Sequence, residues 1–117
     1  MEETKILLAT NDYDLYELLE KQFSQVGHAL ILAPDGLSAY EECVEGDFDI
    51  ILIHDSLSHM NNFEVAELIK SYHSDLPVVS ISADEIPDGY KKYFDAFYPN
   101  QTDFEELIQF IRKTFNR

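Results

Sequence analysis

The stretch Asp49–Asn62, DIILIHDSLSHMNN, decides how the whole chain is read. After the leading Asp49 come four consecutive apolar residues. They are continuous rather than alternating, the mark of a strand buried on both faces. A polar loop, His54–Asn62, follows at once, and then Phe63, Val65, Leu68 and Ile69 recur at helical spacing. A doubly buried strand that runs through a loop into an amphipathic helix is one unit of a parallel sheet covered by helices.

The same unit recurs outward in both directions. Lys5–Ala9 (KILLA) is a short apolar strand, broken by Thr10-Asn11-Asp12. Asp12 is placed to cap a helix whose stripe is Leu15, Leu18, Leu19 and Phe23, and Gly27 is placed to stop it. Ala29–Leu32 reads as a second strand and Pro34-Asp35-Gly36 as a turn. Leu37–Val44 reads as a short helix with Glu41, Glu42 and Glu45 outward, closed by Gly46. Pro77–Ile81 (PVVSI) is a fourth strand, and Ala96–Tyr98 a short fifth. Between them, Asp84–Tyr93 is the least regular segment, because Pro87 and Gly89 both weaken a helix. Thr102 with Glu105 forms a capping-box pattern before a last helix bearing Leu107, Ile108, Ile111 and Phe115. The expectation is one α/β domain over residues 1–117, a three-layer sandwich around a five-stranded parallel sheet. Ligands of such sheets sit beyond the carboxyl ends of the strands. The residues to watch there are Thr10, Asn11, Asp12, His54, Asp55, Ser82, Ala83 and Asn100.

Composition bounds the partners. The chain has 117 residues, 45% of them apolar, with eight Phe and seven Tyr, enough for a real core. Its 23 acidic and 8 basic residues give a net charge of −15. Phosphate backbones and anionic lipid are repelled by such a surface, so neither nucleic acid nor membrane is an expected partner. A basic protein partner and simple solubility both account for the charge. The N-terminal MEETKILLAT reads as neither signal peptide nor membrane span. The single Cys43 forms no internal disulfide and fits a reducing compartment, the cytoplasm by default; it is expected to be semi-buried and inert. Four unclustered glycines make no phosphate-binding loop, and neither a Gly-x-Ser-x-Gly elbow nor zinc-like Cys/His spacing occurs. An enzyme is therefore not expected.

Taken together, KILLATND, DIILIHDSLSHMNNFE, PVVSISA and AFYPNQTDFEELI resemble the CheY-like receiver domains of bacterial two-component response regulators, along essentially the whole chain. Asp35-Gly36 before the second helix, Leu57 and Met60 in the loop after strand three, and Ser82-Ala83 ending strand four carry the resemblance, as does the final helix after Asp103. It implies the flavodoxin-like (βα)5 fold and a role in signal transduction. In that family two acidic residues after strand one bind Mg²⁺, and an Asp ending strand three accepts a phosphoryl group. A Thr or Ser ending strand four and a Lys ending strand five contact that group. Here the resemblance puts Thr10 and Asn11 at the acidic pair, His54 at the acceptor, Ser82 at the hydroxyl and Asn100 at the Lys, with Gln101 where a Pro is usual. Only the hydroxyl survives, which implies a degenerate pseudo-receiver that has lost Mg²⁺, needs no cofactor and acts through phosphorylation-independent protein contacts.

Several readings stay open at this point. Taking Asp55 as acceptor shifts Leu57 and Met60 out of place by one, and strand alternation turns Asp55 away unless a bulge intervenes. His54 is either a hydrogen-bonded histidine filling a vacated site, or a group that takes phosphate, binds metal with Asp12 or Asp55, or senses pH. Asp12 and Asp14 serve equally as remnants of an acidic site and as caps. His28, His59 and His73 read as loop or helix-end residues. Phe97 falls where the family has an aromatic that swings inward on activation; lacking a hydroxyl, it favours burial, and an ordinary core Phe accounts for it equally. The partners implied are a histidine kinase, an output protein or a second copy in a homodimer. The expected contact face is the fourth helix, strand five and the final helix, with Tyr90, Phe94, Tyr98 and Phe104.

Overall fold

The computed structural model describes residues 4–54, 62–81, 85–98 and 104–115, with only the backbone at 62, 104 and 115. Strands and helices alternate: β1 (Thr4–Ala9), α1 (Tyr13–Gln25), β2 (His28–Ala33), α2 (Gly36–Glu45), β3 (Ile50–Ile53), α3 (Asn62–Tyr72), β4 (Val78–Ser80), a 3-10 helix η1 (Asp88–Tyr93), β5 (Ala96–Phe97) and α4 (Phe104–Phe115). The five strands form one parallel sheet in the order β2-β1-β3-β4-β5.

Alternation of side chains along each strand sorts the core into two layers. Leu7, Ala9, Ile51, Ile53 and Val78 face Ala39 and Cys43 of α2 and Val65, Ala66 and Ile69 of α3. Ile6, Leu8, Ile50, Leu52 and Val79 face Leu15, Leu19 and Phe23 of α1 and Leu107 and Ile111 of α4. Both faces of β1 and β3 are thus covered, which is why these strands read as unbroken apolar runs. Each fully buried Leu or Ile contributes about 1.5–3 kcal/mol of hydrophobic stabilisation against the conformational entropy of folding.

The helix signals act as the sequence reading expects. The Asp12 carboxylate accepts from the Leu15 amide at 3.1 Å, and Asp35 accepts from Ser38 at 2.8 Å. Gly27 ends α1 with φ +83, a left-handed conformation that side chains strain against. Gly46 is needed for a different reason: a Cβ there would stand 2.5 Å from the Phe48 ring and 2.7 Å from the Glu42 carbonyl oxygen. The irregular fourth crossover is the 3-10 helix η1, entered through Pro87. The Thr102–Glu105 capping box lies partly outside the described residues.

Three expectations are corrected. Leu18 is 45% exposed rather than on the buried stripe; the residues that α1 buries are Leu15, Leu19 and Phe23, at i, i+4 and i+8, and Leu18 falls at the edge of that stripe. His28 is no loop residue: it opens β2, is buried, and packs its ring against Phe23 at 6.1 Å. Phe97 is 45% exposed and not a core residue. It lies on the two-residue edge strand, where two turns of 3-10 helix supply little cover beyond Phe94, 5.7 Å away.

Candidate functional site

The strand order reverses between β1 and β3: the chain leaves β1 for β2 on one side and returns to β3 on the other. Connections therefore diverge at the carboxyl ends of these two strands, opening the crevice where open α/β sheets bind ligands. The register pairs Ala9 with Ile53, so the next residues, Thr10 and His54, stand side by side at the mouth of that crevice.

Both are buried, Thr10 completely and His54 to 5% exposure. Their backbones extend the ladder, the Thr10 amide donating to Ala33 at 3.0 Å and the His54 amide to Ala9 at 2.9 Å. Their side chains meet, with Thr10 Oγ1 and His54 Nδ1 2.9 Å apart. The Asp12 amide also donates to Thr10 Oγ1, at 3.0 Å. The hydroxyl accepts from the Asp12 amide, and its bond with Nδ1 runs in the direction that the ring tautomer sets, since the oxygen can either donate its proton or accept a second one. Among the described residues, a threonine, an imidazole and a backbone amide meet at the inner end of the crevice.

The outer rim is different. Asn11, Asp12, Tyr13 and Asp14 are exposed. The Asp12 carboxylate is engaged by the Leu15 amide, so capping accounts for this residue. Asp55, Ser82, Ala83, Asn100 and Gln101 lie outside the described residues, as do Leu57, His59 and Met60. Of the neutral cluster expected from sequence, the pair Thr10–His54 is brought together and Asn11 stands at its rim.

The aromatic face also sorts itself. Phe94 is buried in the core and unavailable to a partner. Tyr90 is half-buried, with its ring 4.8 Å from Phe63. Tyr98 is half-buried against Phe110 of α4, 5.7 Å away, and the Phe104 side chain lies outside the described residues. Cys43 is more deeply buried than expected, and burial, aided by the neighbouring Glu42 charge, pushes its thiol up to about 12. No described helix is long and apolar enough to cross a membrane.

A role that sequence reading missed belongs to two aspartates. Asp49 exchanges two bonds with Lys5: its amide donates to the Lys5 carbonyl at 2.8 Å and its carboxylate accepts from the Lys5 amide at 2.8 Å. Asp95 does the same to Val78, at 2.7 and 2.8 Å, with Lys70 paired to it at 2.8 Å. Each Asp immediately precedes a strand, and that position was the available signal.

No protein-family model matches the chain. Individual relatives do. The transcriptional regulatory protein CusR of Escherichia coli is 23% identical over 117 residues, covering 97% of this chain and 52% of CusR. The response regulator MprA of Mycobacterium leprae is 26% identical, covering 97% of this chain and 51% of MprA. The chain spans about half the length of the curated relatives it matches. Among solved structures, the response regulator TrrA of Thermotoga maritima, in complex with Mg²⁺–BeF, superposes with a TM-score of 0.86 at 20% identity, covering 94% of this chain and 97% of TrrA. TrrA is also solved in complex with the histidine kinase ThkA. The parallel order β2-β1-β3-β4-β5, the crevice at its reversal and the end-to-end similarity to these regulators support one assignment: the chain has the CheY-like fold of a two-component response-regulator receiver domain.

Proposed function

We propose that this receiver domain is a pseudo-receiver, which signals through protein contacts without accepting a phosphoryl group. The observation that carries the reading is the buried Thr10–His54 hydrogen bond at the mouth of the β1/β3 crevice. By the resemblance, these positions belong to a magnesium-binding acid and to the phosphoacceptor. Mg²⁺ is a hard cation that takes carboxylate and water oxygens in octahedral array. A hydroxyl already bonded to Asp12 and His54, and an imidazole nitrogen, do not fit that demand. Loss of carboxylates together with the Lys, replaced here by Asn100, is also electrostatically consistent, since a Lys left alone in an uncharged pocket would be costly. The pocket then serves as a structural plug, with Asn11, Ser82 and Asn100 completing it.

Output on this reading passes through the face of η1, β5 and α4, which presents the exposed Phe97 and the half-exposed Tyr98. That TrrA is solved with a histidine kinase supports a protein partner of that kind or an output protein. The test is a backbone-amide NMR titration with Mg²⁺ and then beryllofluoride, a phosphoryl mimic. Amide shifts that stay within noise are the expected result. Saturable shifts clustered at Thr10, His54, Asp55 and Ser82, or an added phosphoryl mass after incubation with acetyl phosphate and Mg²⁺, would overturn the proposal.

A further inference from the structure

Beside the edge strand, β5 and α4 enclose a shallow open cleft of about 390 Å³, lined by Tyr98, Glu105, Glu106, Gln109, Phe110 and Lys113. Its floor is aromatic: the Tyr98 and Phe110 rings lie 5.7 Å apart, tilted 51° to each other. Its rim at the start of α4 is acidic, with Glu105 and Glu106 both exposed. Partial burial, with the Glu106 charge, raises the Tyr98 hydroxyl above its ordinary value, so the phenol stays neutral. Phe97 points to the other side of the sheet and is not part of the cleft.

We propose that this cleft receives an arginine side chain from a basic segment of a partner protein. The inference rests on the protein-contact reading above and names the chemistry of the partner. Charge complementarity selects the sign: the chain carries 23 acidic against 8 basic residues, and two of the acidic ones rim the cleft. The floor selects arginine over lysine, because a planar guanidinium stacks on an aromatic face while its fork engages carboxylates at the edge. Lys113 lies at the same cleft on the next turns of α4, so the cation seats at the Glu105–Glu106 end and the segment's carbonyls meet Lys113. A second copy of the chain is disfavoured as occupant, since each copy brings a net charge of −15.

The test is an amide NMR titration of the whole chain with a capped hexa-arginine peptide at roughly physiological salt, where diffuse attraction is screened beyond a Debye length of about 8 Å. Saturable shifts are expected at Tyr98, Glu105, Glu106 and Phe110, with hexa-lysine weaker. The double variant E105Q/E106Q, at exposed positions, should weaken binding about tenfold, as expected for the loss of two ion pairs. The control E41Q/E42Q on α2 should leave it unchanged. Shifts spread evenly over all acidic surfaces, equal binding of hexa-lysine, or indifference to E105Q/E106Q would each overturn the proposal. So would concentration-dependent shifts at the cleft without peptide, which would assign it to a second copy. Failure here leaves the pseudo-receiver reading intact, because that reading falls only to Mg²⁺, beryllofluoride or acetyl phosphate.

Discussion

Thr10 Oγ1 and His54 Nδ1 are 2.9 Å apart at the carboxyl ends of neighbouring strands, both shielded from solvent. The hydroxyl is also the acceptor for the Asp12 amide, so one oxygen joins β1, β3 and the N-cap of α1. Removing it by Thr10→Val keeps shape but takes this partner from the buried His54 ring and from the partly buried Asp12 amide. The expected loss is about 1–3 kcal/mol, against a much smaller effect for Thr10→Ser. Urea unfolding of the two variants checks this, and equal stability of both would refute the hydrogen bond's role.

If the lack of carboxylates at positions 10, 11 and 54 is what excludes a metal, then restoring acids should restore affinity. The triple variant T10D/N11D/H54D crowds three carboxylates into the crevice and should melt below the parent without metal. Mg²⁺ in the millimolar range should then raise its melting temperature, since a ligand at 100 times its Kd adds about 2.7 kcal/mol to the folded state. The parent should show no such shift in thermal melts. A parent that is stabilised by Mg²⁺ to the same extent would remove the distinction.

Asp49 and Asp95 each finish the amino end of a strand pair by presenting a carboxylate to an amide near the start of the neighbouring strand, that of Lys5 or Val78. Asp49→Ala and Asp95→Ala should each cost about 1.5–3 kcal/mol, the range for a hydrogen bond to a charged group. Lys70 tests the second pair further: this partly exposed ion pair should matter little, so Lys70→Met should cost at most about 1 kcal/mol. Chemical denaturation of the three variants ranks them, and a Lys70→Met loss exceeding that of Asp95→Ala would show the ion pair to be dominant.

The sheet and its helices were legible because the signals were local. KILLA and DIILI are unbroken apolar runs, Asp12 and Gly27 bracket α1, and Pro87 and Gly89 spoil the fourth crossover. Tertiary cover was less visible. The periodic stripe admitted both Leu18 and Leu19, and only packing against the sheet selects between them. His28 looked like a helix-end residue because α1 stops at Gly27, yet its strand begins at the very next position. Within the site, Thr10 and His54 were readable as strand ends, and their hydrogen bond follows from the register. The strand-capping roles of Asp49 and Asp95 depend on which strands are neighbours, a property of topology that the order of residues does not display.

Cys43 gives a prediction in pH. Its thiol is pushed from 9.0 up to about 12 by burial and by Glu42. Raised in the folded state, it contributes stability that is fully present below about pH 9 and is lost as pH climbs towards 12, because the unfolded chain releases the proton first. At about 1.4 kcal/mol per pH unit, less some solvent screening, the parent should lose about 1–2 kcal/mol more than Cys43→Ala between roughly pH 8 and pH 10.5. Urea melts at the two pH values measure this, and parallel pH profiles would refute it.

Phe94 and Phe97 are three residues apart with rings 5.7 Å from each other, yet their burial differs sharply, at 7% and 45% exposure. Phe94→Ala leaves a cavity in the layer shared with α2 and α3 and should cost about 3–5 kcal/mol. Phe97→Ala removes a ring already half in water and should cost no more than about 1 kcal/mol. The contrast bears on function, because an aromatic held outward is available to a partner and one packed inward is not. Denaturation of the two variants, paired with binding of a partner to the edge-strand face, separates the two roles. If Phe97→Ala proves as destabilising as Phe94→Ala, the ring is packed inward in solution and does not belong to the contact surface.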